Sequence, residues 1–252
     1  MDQHDWMIVG IDPAPRKPPG VWEGMAGTKP QLKELKGPGE LRAYVEQLIK
    51  DHAYLLIAWD APLAFKQEYG YSDRPFDVVM RRFVAEKVKV GRLQRGAVSV
   101  RPFSGCPHWA LTCAVLGIPF GSRPRGLRMA WERDGFPYNE GAYLVEVHPA
   151  VTLALWWLEA GCNKAMPRYK GASIEQLKDI ARRLRRFKIP IAACKNDDAL
   201  DAWVAWRMGA DMLTGDACWF DDPKEGGYVL PFTAAQNDIL DKLERILKKW
   251  RR

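Results

Sequence analysis

The sequence predicts an α/β domain with strands early and helices late. Three apolar runs carry a carboxylate at or near their end: Met7-Ile8-Val9-Gly10-Ile11-Asp12, Tyr54-Leu55-Leu56-Ile57-Ala58-Trp59-Asp60, and Ala142–His148 with Glu146. A proline follows within two residues of each run, at Pro13, Pro62 and Pro149. Short apolar runs bounded by turn signals read as buried strands. The second half carries segments with apolar residues three and four apart, which is helical spacing. Strands followed by helices point to layered α/β architecture.

Taken in order, residues 7–12 form the first strand. Pro13, Pro15, Pro18, Pro19 and Gly20 then force a loop. Val21–Met25 and Gln31–Leu35 read as two further strands, turned at Gly27. Glu40–His52 repeats Leu41, Val45, Leu48 and Ile49 as a helix, and 54–60 returns to strand. Arg74–Val90 and His108–Leu116 are helical, with irregular chain between and after them up to Asn139. After the 142–148 strand, Val151–Ala160 is a helix apolar nearly all round. Ser173–Phe187 is amphipathic, and Asp198–Met212 is a further helix. Gly227–Pro231 suits a short edge strand, and Thr233–Trp250 suits a closing helix.

The 252 residues suit one domain with an insertion better than two small domains. No apolar run reaches the ~20 residues of a bilayer crossing, so no membrane partner is expected. The polar, acidic start is unlike a secretory signal. Five scattered cysteines without a C-x-x-C pair argue for a reducing, cytoplasmic location. Nothing in the sequence indicates an oligomeric state.

Thirty-eight Lys+Arg against thirty-one Asp+Glu give a net charge of +7, unevenly spread. Arg81–Arg133 holds eleven basic residues against Glu86 and Glu132, a net +9, among many Gly and Pro. Basic loops of this kind suit a phosphate-bearing partner, DNA or RNA. The expected nucleic-acid contacts are Arg74, Arg81, Arg82, Arg95, Arg101, Arg123, Arg125, Arg128 and Lys170, with Trp109 and Trp131 stacking on bases. Arg182–Lys188 and the tail Lys248–Arg252 are further basic clusters, each equally readable as a solvated face.

Acids at strand ends lie where open α/β sheets bind ligands. They stay charged only if solvated, paired or metal-bound. Asp198 and Asp201 are three apart and share a helix face. The small Ala199, Ala202 and Ala205 let that helix lie close to the sheet. Asp12, Asp60, Glu146 and Asp201, supported by Asp198, form an oxygen-rich set suited to Mg²⁺ or Mn²⁺. Two such ions would serve in-line attack of water on phosphorus. Asp197 or Asp198 also suits a helix N-cap, and Asp12 a turn.

Six short motifs carry a resemblance: Gly10-Ile11-Asp12, Asp60-Ala61-Pro62-Leu63, Arg74-Pro75-Phe76-Asp77, Glu146-Val147-His148-Pro149, Tyr169-Lys170 and Asp197-Asp198-Ala199-Leu200-Asp201-Ala202. In this order, across residues 7 to about 231, they resemble a family of predicted RNase H-fold nucleases known as domain of unknown function 429. The resemblance implies an RNase H-like fold: a five-stranded mixed sheet, three antiparallel strands first, helices on both faces. It implies a metal site from Asp12, Asp60, Glu146 and the Asp198/Asp201 helix. Residues 64–141 would be a basic insertion within a single domain, 1–252. The expected activity is metal-dependent hydrolysis of phosphodiesters in nucleic acid; the alternative is an inactive RNase H-like binding module.

Arg74 and Asp77, i,i+3 on a helix, could be a surface ion pair or lie near the site, and Lys170 could reach a phosphate. His148 shares the strand face of Glu146, as a structural histidine or a proton carrier. Cys106, His108 and Cys113 give too few ligands at poor spacing for zinc. Trp156, Trp157, Trp203 and Trp206 are core by position. Pro13-Ala14-Pro15 lacks the Gly/Thr-rich phosphate loop that sugar kinases and actin-like ATPases need.

Overall fold

The computed structural model describes residues 5–63, 74–88, 107–117, 123–130, 139–222 and 226–232, with Asp241 and Arg245. Its strands are β1 (Met7–Asp12), β2 (Gly20–Met25), β3 (Gln31–Leu32), β4 (Tyr54–Trp59), β5 (Leu127–Met129), β6 (Gly141–Val147), β7 (Ala217–Asp222) and β8 (Gly226–Pro231). Its helices are α1 (Leu41–Asp51), α2 (Pro75–Lys87), α3 (Pro107–Leu116), α4 (Pro149–Glu159), α5 (Ile174–Arg183) and α6 (Asp197–Thr214). The fold is mixed α/β.

All eight strands join one mixed sheet in the order β3-β2-β1-β4-β6-β8-β7, with β5 also beside β6. β1, β2 and β3 run antiparallel in succession, while β1, β4 and β6 are mutually parallel. β5 pairs with Ala142–Leu144 and β8 with Glu146–Val147, so the two divide one edge of β6.

Strand alternation sends successive side chains to opposite faces, and both faces are buried. Val9, Ile11, Leu55, Ile57, Trp59 and Leu144 pack with Leu41 and Val45 of α1 and Leu116 of α3. Ile8, Leu56, Ala58, Val145 and Val147 pack with α2, α4, α5 and α6. Both faces being covered explains why β1 and β4 read as continuous apolar runs.

Helix α6 lies against β1 and β2 because glycines there leave room. A Cβ at Gly10 would fall 2.2 Å from Ala202 O and 2.2 Å from Trp206 N, and one at Gly20 would fall 2.3 Å from Asp198 O. These are backbone atoms of a buried helix and cannot step aside. Gly10→Ala is therefore expected to destabilise the fold by about 3 kcal/mol or more, since overpacking costs about 1–3 kcal/mol even where side chains can shift. Urea denaturation checks this, with Gly37→Ala, whose Cβ meets nothing within 4 Å, as the control.

The expected elements form with boundaries moved by a few residues, and three readings change. The sheet has eight strands rather than five. β5, only three residues long, lies in the stretch read as irregular, and β7, polar at its end, lies where no element was expected. β8 is not an edge strand, because β7 covers it. The insertion at 64–141 supplies α2, α3 and β5, and β5 makes it part of the sheet. The expected helix at 233–250 lies outside the described residues apart from Asp241 and Arg245, both helical. Among the described residues no helix is long and apolar enough to cross a membrane.

Candidate functional site

Register brings the acids together. The Asp60 amide donates to Ile11 O at 2.9 Å, extending the β1–β4 ladder and holding Asp60 beside Asp12. Asp12 follows Ile8 and Gly10 by even steps, and Asp60 follows Leu56 and Ala58 likewise, so both point to the α6 side. There α6 delivers Asp201, fully buried. One carboxylate oxygen from each of Asp12, Asp60 and Asp201 lies within 4.8 Å of the other two.

The start of α6 is set by Asn196, whose side-chain oxygen accepts from the Ala199 amide at 2.8 Å. This settles the capping question, because neither Asp197 nor Asp198 is needed as the cap. Asp197 Oδ2 accepts from the Gly171 amide at 3.2 Å, and Asp198 Oδ2 sits 2.5 Å from Lys17 Nζ.

Glu146 stands apart from this trio. It stands in register with Trp59, whose indole lies in the core on the far face and donates to Thr112. The Glu146 oxygens are not among those of Asp12, Asp60 and Asp201 that converge within 4.8 Å, although its charge is near enough to raise Asp60. Its carboxylate is spanned by Arg74, with Nη2 2.5 Å from Oε1 and Nη1 2.9 Å from Oε2, and it accepts the Leu63 amide at 2.8 Å. Arg74 also bonds Asp77 at 2.8 Å through Nε. His148 Nε2 lies 3.2 Å from Glu146 and 3.6 Å from Asp77, an ion pair rather than an aligned hydrogen bond. Arg74 is therefore not a surface cation reaching for phosphate: it is completely buried.

The two acid groups differ electrostatically. Burial pushes Glu146 and Asp77 up, but Arg74 and His148 together outweigh it and hold both below their usual values. Burial alone would lower His148, yet the Asp77 and Glu146 carboxylates beside it raise it to about 9. In the other group burial dominates. Asp12 is raised well above its usual value, Asp60 is raised, and Asp201 is raised to about 7, with Lys170 only partly offsetting. The Lys170 ammonium donates to Asp201 Oδ2. Asp201 and the Tyr169 hydroxyl, sealed from solvent, lie side by side, with no aligned hydrogen bond to Asp201 Oδ1 or to that hydroxyl among the described residues.

These shifts have a pH consequence. The folded Asp201 holds its proton to about pH 7, whereas an unfolded Asp loses it near 3.8. Its contribution to stability is present below about pH 4 and is lost as pH rises toward 7. Metal-free wild type is therefore expected to lose stability across that window relative to Asp201→Asn. Melting curves in EDTA between pH 4 and 8 test this; parallel curves would contradict it.

A cleft of about 660 Å³ opens over the acids, lined by Asp12, Asp60, Lys170 and Asp198, by Ala14 to Lys17 of the first loop, and by His108 and His148. That volume accommodates a ligand the size of a nucleotide. His108, at the start of α3, and Lys17 had no place in the sequence-based site. His108 was weighed only as a zinc ligand, and burial lowers its pKa, so the ring faces the cleft neutral near pH 7.

The basic residues divide. Lys170 belongs to the acid group itself. Arg81 is partly buried and Arg82 exposed on α2. Arg123, Arg125 and Arg128 are exposed on and before β5. Because β5 runs parallel to β6 and pairs with its first half, they lie toward the opposite sheet end from the cleft. Trp109 is only 4% exposed, in the core beneath Trp59, so it is not a stacking platform. Arg95, Arg101 and Trp131 lie outside the described residues. No protein-family model, curated protein or solved structure matches this chain.

Proposed function

We propose that the chain is a metal-dependent nuclease of RNase H-like fold, in which Asp12, Asp60 and Asp201 hold Mg²⁺ or Mn²⁺. One observation carries this reading. Three buried or half-buried carboxylates, those of Asp12, Asp60 and Asp201, converge within 4.8 Å. Such a set is unfavourable without a cation, and its all-oxygen chemistry suits a hard divalent ion. A divalent ion there would lower the pKa of a bound water and neutralise charge developing at phosphorus.

The first five strands, β3-β2-β1-β4-β6, with acids at the ends of β1 and β4 and on a closing helix, support the RNase H-like reading. Lys17 and the exposed Arg16 at the cleft rim would orient phosphate groups. His108 stands ready to accept or return a proton. Arg74, Asp77 and His148 hold Glu146 against the start of α2, so this acid positions the segment beneath the cleft. Asp198 is paired with Lys17 and Glu146 with Arg74, so the described residues support one ion at the trio rather than the two first expected.

A second reading, an RNase H-like nucleic-acid-binding module without catalysis, is favoured by one observation: Lys170 already supplies a cation to Asp201. Incubation with single-stranded, duplex, hybrid and branched substrates separates the two. The nuclease reading expects cleavage with Mn²⁺ and none with EDTA. Salt-sensitive binding without cleavage would select the module.

A further inference from the structure

A second concavity, of about 350 Å³, lies between α5 and the turn leading into α6. Its floor is apolar, from Ile189, Ile191 and Cys194, and its rim is cationic, from Lys178, Arg185 and Lys188. Three further observations single it out. Arg185 and Lys188 make no ion pair among the described residues, whereas Arg183 and Arg186 nearby each hold an acid at 3.1 Å. Ile191 is 78% exposed, more than any other large apolar residue described. Lys188 has φ 58°, the only described non-glycine residue with positive φ. Glycine is the usual occupant of such a position after a helical turn, and a side chain there costs about 1 kcal/mol. A cation is thus kept at the rim where glycine would be more stable.

The groove also lies near the cleft along the chain. Cys194 in its floor and Asp198 in the cleft are four residues apart, at most about 14 Å of chain. We propose that this groove receives single-stranded nucleic acid leaving the cleft, with phosphates on Arg185 and Lys188 and a base against Ile189 and Ile191. The inference rests on the nuclease reading and extends it, by making the substrate a strand several nucleotides longer than the cleft.

The test uses the full chain in Ca²⁺ buffer with labelled oligothymidylates and oligouridylates of about 8 and about 24 nucleotides, a span like that of known single-strand sites. Wild type should prefer the longer strand. Arg185→Ala with Lys188→Gly should reduce that preference about tenfold and make the salt dependence for the longer strand shallower by about one to two log units per log unit of salt. Lys188→Gly relieves backbone strain, so an unchanged or raised melting temperature confirms that the variant is folded. An unaltered length preference would overturn the groove and leave the nuclease reading standing. Wild type that binds neither length would overturn both. Polyglutamate retained by wild type and lost in the variant, with no effect of strand length, would assign the groove to an acidic peptide and overturn the proposal.

Discussion

Asp12→Asn should abolish metal-dependent cleavage and, in EDTA, raise the melting temperature. The two effects have one cause. Asp12 is 6% exposed and held beside Asp60 and Asp201, and burial and these neighbours disfavour its charge. Asn keeps the shape and removes the charge, so repulsion within the metal-free trio falls. The same change removes a metal oxygen. Losing a group that merely orients a ligand weakens metal binding about 10–100-fold, so losing a ligand should lower cleavage by more than about 100-fold. Activity at a fixed Mn²⁺ concentration and melting in EDTA, measured on one preparation, check both halves. A residue that only stabilises the fold would lose stability on substitution, and that result would count against the site.

Arg74→Met should lower the unfolding free energy by about 3–5 kcal/mol, the range seen when one partner of a buried ion pair is removed. Arg74 is completely buried, and its guanidinium satisfies both Glu146 and Asp77. Methionine fills much of the volume but leaves two buried carboxylates with His148 as their remaining charge partner. The loss is large against a typical total of about 5–15 kcal/mol. Arg82→Met, an exposed change on the same helix, should stay within about 0.5 kcal/mol. Urea midpoints for the two variants give the comparison. Equal, small effects would show that the Arg74 network is not structural.

Much of this site was legible in the sequence. Asp12 and Asp60 directly follow apolar runs, and such runs ending at a strand's C-terminal end mark the edge where ligands bind. Asp201 was legible because the small Ala199, Ala202 and Ala205 foretold close packing on the sheet, which Gly10 and Gly20 complete. That Glu146 stands outside the converging trio was not legible, because its pairing with Arg74 spans 72 residues of chain. Its partner was nonetheless visible, since Arg74 and Asp77 sit three apart at the start of a helix. The role of Lys170 needed the tertiary fold, because nothing within residues 165–175 distinguishes a lysine facing solvent from one facing Asp201. β5 and β7 escaped because neither has the length or alternation of a strand that stands alone. The Arg81–Arg133 stretch was read as one surface, yet strand direction sends Arg123, Arg125 and Arg128 away from the cleft.

The central claim is that Asp12, Asp60 and Asp201 form a divalent-cation site. The most direct measurement is the anomalous difference map of a crystal grown with Mn²⁺. The account predicts a peak among the carboxylate oxygens of these three residues, with Asp201 Oδ1 among the ligands. A map with no peak there, Lys170 still on Asp201, and Mn²⁺ elsewhere or absent would contradict it.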